Sequence, residues 1–531
     1  MEQMNQHRAI CRAMKNPDFY PHPVSNLTFR ETHASSVFLT GKWVYKLKKP
    51  VDLGFLNYQS LENRRRFCEL EVKLNQRLSQ GIYQGTVGIY RDGNGRFSLR
   101  ETSRLVDYAV KMLQLPDEAS LEALLKANKI TFVQIQALSR KLDAFYKSSE
   151  KNPGIDHFGK PEVIRANVEE NFQQLAAYTG EILDKERWDF IREITRAFLH
   201  LNKNLFEGRI ETNRISDGHG DLRSEHVYFH QGLHIIDCIE FNDRFRFGDT
   251  ALDLAFLYMD LEHLGFGEWG RTFLTEFVNL TEDWELYQLL DFYAAYRSMV
   301  RLKVTCFRFS EAIAEDKRAL RAEARLFLNQ TYRYCLRFGR PTLWIVCGQP
   351  ATGKSSLSKE IAKAFSIPVF TSDQIRKEDD TFKKGPAPSS GEALYSLERR
   401  QHVYGHLLAR AQDTLSAGKS VILDAMFSLE KWRDDARGLA GDRDSNIIFV
   451  ECVCREETAR ARLKSRDEEL DILSDARLDN YQEILKDFQP MVNLPPKIHV
   501  LADTDRPLNV ILTKALSEAY TLRCLQVEDL L

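Results

Sequence analysis

Long apolar runs are absent from this sequence, and so are the patterns that accompany export. No stretch of 18 or more apolar residues occurs, and the N-terminal segment MEQMNQHRAICRAMKNPDFY has basic residues without an apolar core. These absences exclude a transmembrane helix and a signal peptide of the usual form. We therefore expect a cytoplasmic protein with no membrane partner.

Cysteine is sparse and follows no pattern: nine residues, an odd number, occur without a paired C-x-x-C motif. This excludes a secreted disulfide framework and zinc knuckles. Cys452 and Cys454 lie two apart on an apolar strand, where core packing is favoured over a two-thiolate metal site. The net charge is also small, at −2, and gives no strong signal for nucleic-acid binding.

What the sequence does contain is enough chain for more than one core. Its 531 residues suggest two or three domains, and a hydrophobic content of 43% is ordinary for globular protein. The tract Phe338-Gly339-Arg340-Pro341 combines a helix stop with the start of an apolar strand. We place the main domain boundary there, between a domain at residues 1–337 and a domain at residues 341–531.

The most informative stretch is LWIVCGQPATGKSS, residues 343–356, which contains G-x-x-x-x-G-K-S between an apolar strand and a helical pattern. Backbone N–H groups of such a loop, together with the helix N-terminus, form an anion site. Lys354 is expected to reach the β and γ phosphates of ATP, and the Ser355 hydroxyl to hold Mg²⁺. The predicted nucleotide-contacting residues are Gly348, Gln349, Pro350, Ala351, Thr352, Gly353, Lys354, Ser355 and Ser356.

Strands and helices alternate after this loop, which predicts an α/β domain with a parallel sheet. Ligands of such sheets lie at the carboxyl ends of strands, where Asp373 can act as a general base and Arg376 can clamp an anion. Asp424 ends the next strand and suits a magnesium contact. Helix capping by Asp373 and a solvated Arg376 form the structural alternative.

A charged helical segment, ETARARLKSRD, offers three arginines that can act as a lid over the phosphates: Arg460, Arg462 and Arg466. Their spacing of two and four does not place all of them on one helix face, so that one or two are expected to act. Solvent-facing arginines are the alternative for each of them.

The first half of the chain has a second acidic constellation. The segment His219-Gly220-Asp221 is typical of a tight turn, and a short strand further along the chain ends in Asp237. Two such carboxylates can divide the work of a phosphotransferase: one orients the acceptor hydroxyl and the other binds magnesium. Upstream, Lys46 lies on a predicted hairpin strand and Glu71 on the following predicted helix, where the two can pair. For Asp249 and Asp253, further along the chain, the structural alternative is that they cap the helix that they begin.

These residues resemble the aminoglycoside phosphotransferase and choline kinase branch of the protein-kinase-like fold, an α+β class. The matching motifs are His219-Gly220-Asp221-Leu222, Ile236-Asp237, Gly248-Asp249 and Asp253-Leu254-Ala255. The resemblance implies that Asp221 is the catalytic aspartate, Asp237 a magnesium ligand, Lys46 the phosphate-contacting lysine and Glu71 its partner.

Several positions of this half leave alternatives open. Lys48 shares the strand face of Lys46, Glu69 lies close to Glu71, and Glu240 rivals Asp237 as the metal ligand. His226 stands where the family has an asparagine, and imidazole is a poorer ligand for Mg²⁺ than an amide oxygen. For the run Arg64-Arg65-Arg66, a solvated helix face is favoured over a site for a phosphorylated substrate.

Residues 341–505 resemble phosphate-loop kinases such as gluconate and shikimate kinases, polynucleotide kinase and zeta-type toxins. The resemblance rests on S-D-x-I-R-K at 372–377 and V-I-L-D-A at 421–425. The order of the two domains is similar to bacterial proteins described as bifunctional aminoglycoside phosphotransferase and ATP-binding proteins.

The leading hypothesis is an ATP- and Mg²⁺-dependent phosphotransferase that phosphorylates a hydroxyl of a small-molecule acceptor. Two alternatives remain: an ATP-binding regulatory protein with a pseudokinase lobe, and a toxin-like kinase of a nucleotide sugar. The acceptor and the oligomeric state are left open, because specificity comes from scattered loop residues.

Overall fold

The computed structural model describes residues 2–101, 104–378, 397–467, 478 and 481–530. Contacts group the chain into two compact units. Unit 1 contains Met1–Ile164 and Glu207–Phe277, and unit 2 contains Arg165–Phe206 and Val278–Leu531. The domain boundary drawn from the sequence, between residues 337 and 341, stays a prediction.

The strands are, in chain order, β1 Thr28–Glu31, β2 Ser35–Leu39, β3 Trp43–Lys48, β4 Tyr83–Arg91, β5 Phe97–Ser98, β6 Arg104–Leu113, β7 Ile215–Asp217, β8 Val227–Phe229, β9 Leu233–Ile235, β10 Phe247–Asp249, β11 Thr342–Cys347, β12 Val369–Thr371, β13 Val421–Asp424, β14 Asn446–Val453 and β15 His499–Asp503.

The α-helices are α1 Glu2–Met14, α2 Leu61–Gln76, α3 Leu121–Lys126, α4 Phe132–Ser148, α5 Pro153–Asp156, α6 Pro161–Leu175, α7 Lys185–Leu201, α8 Lys203–Glu211, α9 Asp243–Arg246, α10 Thr250–His263, α11 Gly267–Thr281, α12 Leu286–Glu311, α13 Ala314–Gly339, α14 Lys354–Phe365, α15 Ser372–Glu378, α16 Leu397–Ser416, α17 Glu430–Asp442, α18 Glu456–Asp467, α19 Tyr481–Leu485 and α20 Leu508–Glu528.

Unit 1 is built on an antiparallel six-stranded sheet in the order β1-β2-β3-β6-β4-β5. β2 and β3 form the hairpin predicted around Gly41, whose φ of 93° suits glycine. Ser60 caps α2 by accepting a hydrogen bond from the Asn63 N–H, and α2 packs on β4 and β6. The hairpin and the following helix are therefore confirmed.

Two short antiparallel pairs, β7 with β10 and β8 with β9, follow in unit 1. They support the turns that contain Asp221 and Asp237. The segment from Asn152 to Pro161 contains proline and glycine, yet most of it is helical and does not form an open loop. Asn152 caps α5 through its side chain, and a 3-10 turn at His157–Gly159 continues the helical path.

Unit 2 contains a parallel five-stranded sheet in the order β12-β13-β11-β14-β15. Every residue of β11 is buried, as expected for a central parallel strand covered on both faces. α16 and α17 contribute to the core on one face, which includes Leu343 and Ile345. On the other face Trp344 packs on Phe365 of α14 at a ring distance of 5.7 Å.

The long helices α12 and α13 also belong to unit 2 and pack on α20. Tyr520 of α20 donates a hydrogen bond of 2.9 Å to Asp291 of α12, and both side chains are buried. The predicted fold class, an α+β part followed by an α/β phosphate-loop part with a parallel sheet, is confirmed by the sheet topology. Among the described residues, no helix has the length and apolar content that crossing a bilayer requires.

Candidate functional site

The phosphate loop of unit 2 connects β11 to α14 through backbone that glycine favours. Gly348 has φ 127° and Gly353 has φ 86°. A Cβ on Gly348 would lie 2.4 Å from the backbone oxygen of Cys452, so that no larger residue fits there without movement. Ala351 also adopts a positive φ, 60°, which costs an L-residue about 1–2 kcal/mol.

Lys354 begins α14 and folds back over the loop. Its Nζ donates a hydrogen bond of 2.6 Å to the Gln349 carbonyl. Burial lowers the pKa of Lys354, and the carboxylates of Asp424 and Asp373 act in the opposite direction. A phosphate oxygen is a stronger acceptor for this ammonium than the carbonyl that it now contacts.

Asp424 ends β13 and is buried beside the loop. It lies in register with Val346 of β11 and with Thr371 of β12, which places it at the carboxyl edge of the sheet. Burial raises its pKa, although Lys354 and the Ser355 hydroxyl oppose the shift. Its Oδ2 has no hydrogen-bond partner among the residues that the structure describes. A carboxylate oxygen with no partner beside a serine hydroxyl fits a hard cation such as Mg²⁺.

Asp373 and Arg376 lie on α15, directly after β12, and form an ion pair of 2.7 Å. The pair orients the carboxylate at the same sheet edge as Lys354 and Asp424, whose pKa values respond to Asp373. The structure thus brings the predicted base, loop lysine and metal ligand together, and their catalytic roles stay predictions.

The three candidate lid arginines differ. Arg460 is exposed and pairs with Glu456 on its own helix, whereas the side chain of Arg466 lies outside the described residues. Arg462 donates hydrogen bonds to the Ala351 carbonyl at 3.2 Å and to the Thr504 carbonyl at 2.7 Å. In this structure, therefore, Arg462 stabilises the phosphate loop through hydrogen bonds to backbone carbonyl groups.

Thr504, which the sequence analysis did not single out, extends this support. Its hydroxyl donates to the Thr352 carbonyl at 2.7 Å and lies 3.1 Å from Arg462 Nη1. Nearby, Cys452 is buried and burial raises its pKa to about 12, which agrees with the core-packing interpretation of this cysteine.

The candidate site of unit 1 begins at the His219-Gly220-Asp221 turn. Asp253 accepts hydrogen bonds from the N–H groups of His219 at 2.6 Å and Gly220 at 2.9 Å, and Gly220 has φ 86°. Asp249 caps α10 and receives both Nε and Nη2 of the buried Arg209. Asp253 therefore positions the turn, whereas Asp249 caps the helix that follows it.

Asp221 is held by Arg223, a residue that the sequence analysis missed. Arg223 Nε and Nη2 each lie 3.0 Å from one carboxylate oxygen of Asp221. Burial acts to raise the pKa of Asp221, but Arg223 and His226 outweigh it and hold that pKa below its usual range. The sequence signal that could have identified Arg223 is its position two residues after Asp221.

The alternative lysines and acids of unit 1 differ in the residues that they contact. Lys46 lies 3.0 Å from Glu71 and 2.5 Å from Asp237, and Lys48 lies between Glu71 and Glu240. Burial alone would lower the pKa of Lys46, but Asp237 and Glu71 hold it well above the usual value.

Glu240 is engaged by Lys48 and by the Tyr58 hydroxyl, and its side chain is buried. Asp237 instead faces Asp221 and His226, and one donor atom from each of these three residues lies within 4.8 Å of the others. The geometry therefore favours Asp237 over Glu240 as the metal ligand. The alternative Glu69 is half-exposed and pairs with Arg65.

One expectation about this helix is wrong. Arg64 does not lie on a solvated face: it is buried and its Nε donates to Asp107 at 2.7 Å. It also donates to the carbonyls of Tyr58 and Gln59. Only the other two arginines of the run are exposed.

A cavity of about 430 Å³ in unit 1 adjoins these residues. Lys46, Asp221, His226 and Asp237 are among the polar side chains that line it, and Val44 is among the apolar ones. This volume lies in the range of small-molecule and cofactor sites.

Comparison with known proteins identifies a matching domain model and similar solved structures. A model described as an AAA domain matches residues 343–491. A choline/ethanolamine kinase family protein from Mesorhizobium loti aligns at 11% identity and TM-score 0.37, covering 62% of this chain and 99% of its own. A gluconokinase from Sinorhizobium meliloti 1021 aligns at 18% identity and TM-score 0.26, covering 36% of this chain and 96% of its own.

Two full-length relatives match most of the chain. Uncharacterized protein Rv2004c of Mycobacterium tuberculosis is 31% identical over 455 residues, which are 84% of this chain and 88% of that protein. Uncharacterized protein Mb2027c of Mycobacterium bovis matches to the same extent. Because this identity extends over most of both proteins, the chain belongs to the family of these mycobacterial proteins.

Proposed function

We propose that the chain is an ATP-dependent phosphotransferase whose phosphate-loop domain transfers the γ-phosphoryl group to a hydroxyl of a small-molecule acceptor. The observation that supports this most directly is the convergence of Lys354, Asp424 and Asp373 at one sheet edge, beside a glycine-stabilised loop. The AAA domain match over the same residues is consistent with nucleotide binding.

The chain's own residues divide the work. The loop N–H groups and Lys354 bind the phosphates, and Asp373, oriented by Arg376, accepts the proton of the acceptor hydroxyl. That oxygen then bonds to the γ-phosphorus while the bond to the β–γ bridging oxygen breaks and ADP leaves. Ser355 and Asp424 would hold Mg²⁺, which neutralises charge on the phosphates when bound.

Turnover of matched variants tests the proposal. Purified wild type, Lys354→Ala, Asp373→Asn and the control Lys359→Ala, which changes an exposed lysine on the same helix, are incubated with ATP and a metabolite panel. Phosphorylated products are detected by mass spectrometry, and ATP affinity is measured by calorimetry. We expect Asp373→Asn to keep ATP affinity and lose transfer by about 10²- to 10⁴-fold.

Lys354→Ala is expected to lose both ATP affinity and transfer, whereas Lys359→Ala retains both. Transfer at the wild-type rate in both site variants would refute the assignment of the chemistry to this domain.

A second candidate function concerns unit 1, as a nucleotide-binding module that regulates the protein without efficient transfer. Arg223 favours it, because it occupies both oxygens of the carboxylate that would otherwise orient an acceptor. Asp221→Asn distinguishes the two roles of unit 1: unchanged phosphate transfer supports a binding module, and loss of one product supports a second catalytic site.

A further inference from the structure

The candidate site of unit 1 has more negative than positive charge. Two groups of ion pairs in the described residues, which meet at His226, contain five carboxylates and three cationic groups, so that two negative charges are left when His226 is counted as neutral. The carboxylates are Glu71, Asp221, Glu225, Asp237 and Glu240, and the cations are Lys46, Lys48 and Arg223. One divalent cation matches this excess.

His226 presents a lone pair to the same place. Its Nδ1 lies 2.8 Å from the backbone carbonyl of Asp221. A carbonyl only accepts hydrogen bonds, so Nδ1 carries the proton and Nε2 is the unprotonated nitrogen of the neutral ring. Nε2 lies 3.7 Å from Asp237 Oδ2. Nitrogen and oxygen ligands bound at about 2.1 Å to a common ion are about 3–4 Å apart, so this separation is close to a coordinating one.

The two carboxylate oxygens of Asp237 face different partners. Its Oδ1 contacts Lys46 at 2.5 Å, while Oδ2 faces His226. A cation can therefore approach Oδ2 and the imidazole without displacing the lysine. At Asp221 the competitor is Arg223, which contacts both carboxylate oxygens and lies 3.4 Å from His226 Nε2.

The donor set does not fit the Mg²⁺ that the resemblance to phosphotransferases implies. Mg²⁺ takes hard oxygen ligands, and the position of the expected amide oxygen holds an imidazole. Imidazole together with carboxylates instead suits transition metals. We propose that Asp221, His226 and Asp237 form a site for a divalent transition metal such as Mn²⁺ or Co²⁺, which binds in preference to Mg²⁺.

This inference is independent of the proposed phosphate transfer in unit 2, because every residue that it uses belongs to unit 1. It can be tested without turnover and without nucleotide. Mn²⁺ binding to the full-length protein is titrated by the loss of the free-ion signal in electron paramagnetic resonance, with Mg²⁺ as competitor. Pulsed measurements on the same samples report whether an imidazole nitrogen is bonded to the manganese.

For the wild type we expect a coordinated nitrogen and at least tenfold tighter binding of Mn²⁺ than of Mg²⁺. His226→Asn should abolish the nitrogen coupling and remove most of the preference for Mn²⁺. His230→Asn is the matched control, since this histidine lies on the β8–β9 turn outside the three-residue cluster, and should behave as the wild type.

Arg223→Gln supplies a second variant that does not depend on the folding of His226→Asn. It removes the competing guanidinium, so that Mn²⁺ affinity should rise at least threefold. Wild type that binds Mn²⁺ no more tightly than Mg²⁺, or that binds Mn²⁺ without a coordinated nitrogen, would overturn the proposal. So would a nitrogen coupling that persists in His226→Asn.

Discussion

Arg462 offers a direct test of how the phosphate loop is kept in its binding conformation. Its guanidinium donates to the carbonyls of Ala351 and Thr504 and lies 3.1 Å from the Thr504 hydroxyl, which in turn donates to Thr352. Two consecutive loop carbonyls, one of them on a residue with φ 60°, are therefore held by one arginine and its threonine partner. Arg462→Ala removes the arginine from this arrangement.

The expected effect follows from the number and kind of these hydrogen bonds. Hydrogen bonds from charged donors contribute about 1.5–3 kcal/mol each, and because Arg462 is only partly buried, water replaces part of what is lost. We therefore expect removal of the whole side chain to weaken the free energy of ATP binding by about 1.5–3 kcal/mol, mostly because the loop is no longer preorganised. That corresponds to about 10- to 150-fold weaker ATP binding.

Calorimetric titration with a non-hydrolysable ATP analogue measures this difference. Arg460→Ala is the matched control, because Arg460 lies on the same helix but contacts Glu456 and the ring of Tyr481 in place of the loop carbonyls. ATP affinity equal in the two variants would refute the supporting role. If Arg462 acted instead as a lid in the transition state, the variant would lose kcat at nearly unchanged ATP affinity.

Three further perturbations address other parts of the chain. Gly348→Ala places a methyl group 2.4 Å from a backbone oxygen at φ 127°, and we expect ATP affinity to fall at least 100-fold in calorimetry while the far-UV spectrum is unchanged. Asp107→Ala leaves Arg64 buried without its carboxylate and should lower the free energy of unfolding by about 3 kcal/mol in urea titration. His219→Gln should make unfolding less sensitive to acid. Burial lowers the pKa of His219 from 6.5 to about 4, so the unfolded chain binds the extra proton and wild-type stability falls by about 3 kcal/mol between those pH values.

The first two of these predictions have control variants, and the third has an outcome that would contradict it. Gly405 has open space around its Cβ position, so that Gly405→Ala should leave ATP affinity unchanged. Because the Arg30–Asp117 pair is exposed, Asp117→Ala should lower the free energy of unfolding by less than about 1 kcal/mol. An equally small loss in Asp107→Ala would contradict the role of burial. Equal acid sensitivity of wild type and His219→Gln would show that this imidazole does not titrate as expected.

Much of the candidate site was predictable because its chemistry is local in the chain. The phosphate loop is one run of residues, and strand alternation after it indicates a parallel sheet whose carboxyl ends meet. Asp373 and Asp424 could therefore be assigned to one edge before any distance was known. Arg462 could not be assigned in the same way, because helix periodicity does not reveal a partner such as Thr504, 42 positions later.

The choice between neighbouring candidates depended on long-range contacts. Lys46 and Lys48 share one strand face, and both reach Glu71, but Lys46 continues to Asp237 and Lys48 to Glu240 across more than 190 positions. Arg64 resembles its exposed neighbours in sequence. Its burial is decided by Asp107 on β6, 43 positions away, which supplies the charge that makes burial tolerable.

The sequence by itself determined the elements and motifs that depend on neighbours in the chain: the glycine-dependent loop turns, the hairpin, the alternation of strands and helices, and the presence of His226 where an amide was expected. Only the tertiary structure decided which carboxylate meets which cation, and that His226 faces Asp237 while Arg223 covers Asp221. The physical reason is range. Backbone conformation responds to adjacent residues, whereas ion pairing and metal-ligand geometry require side chains from distant segments to meet in one buried place.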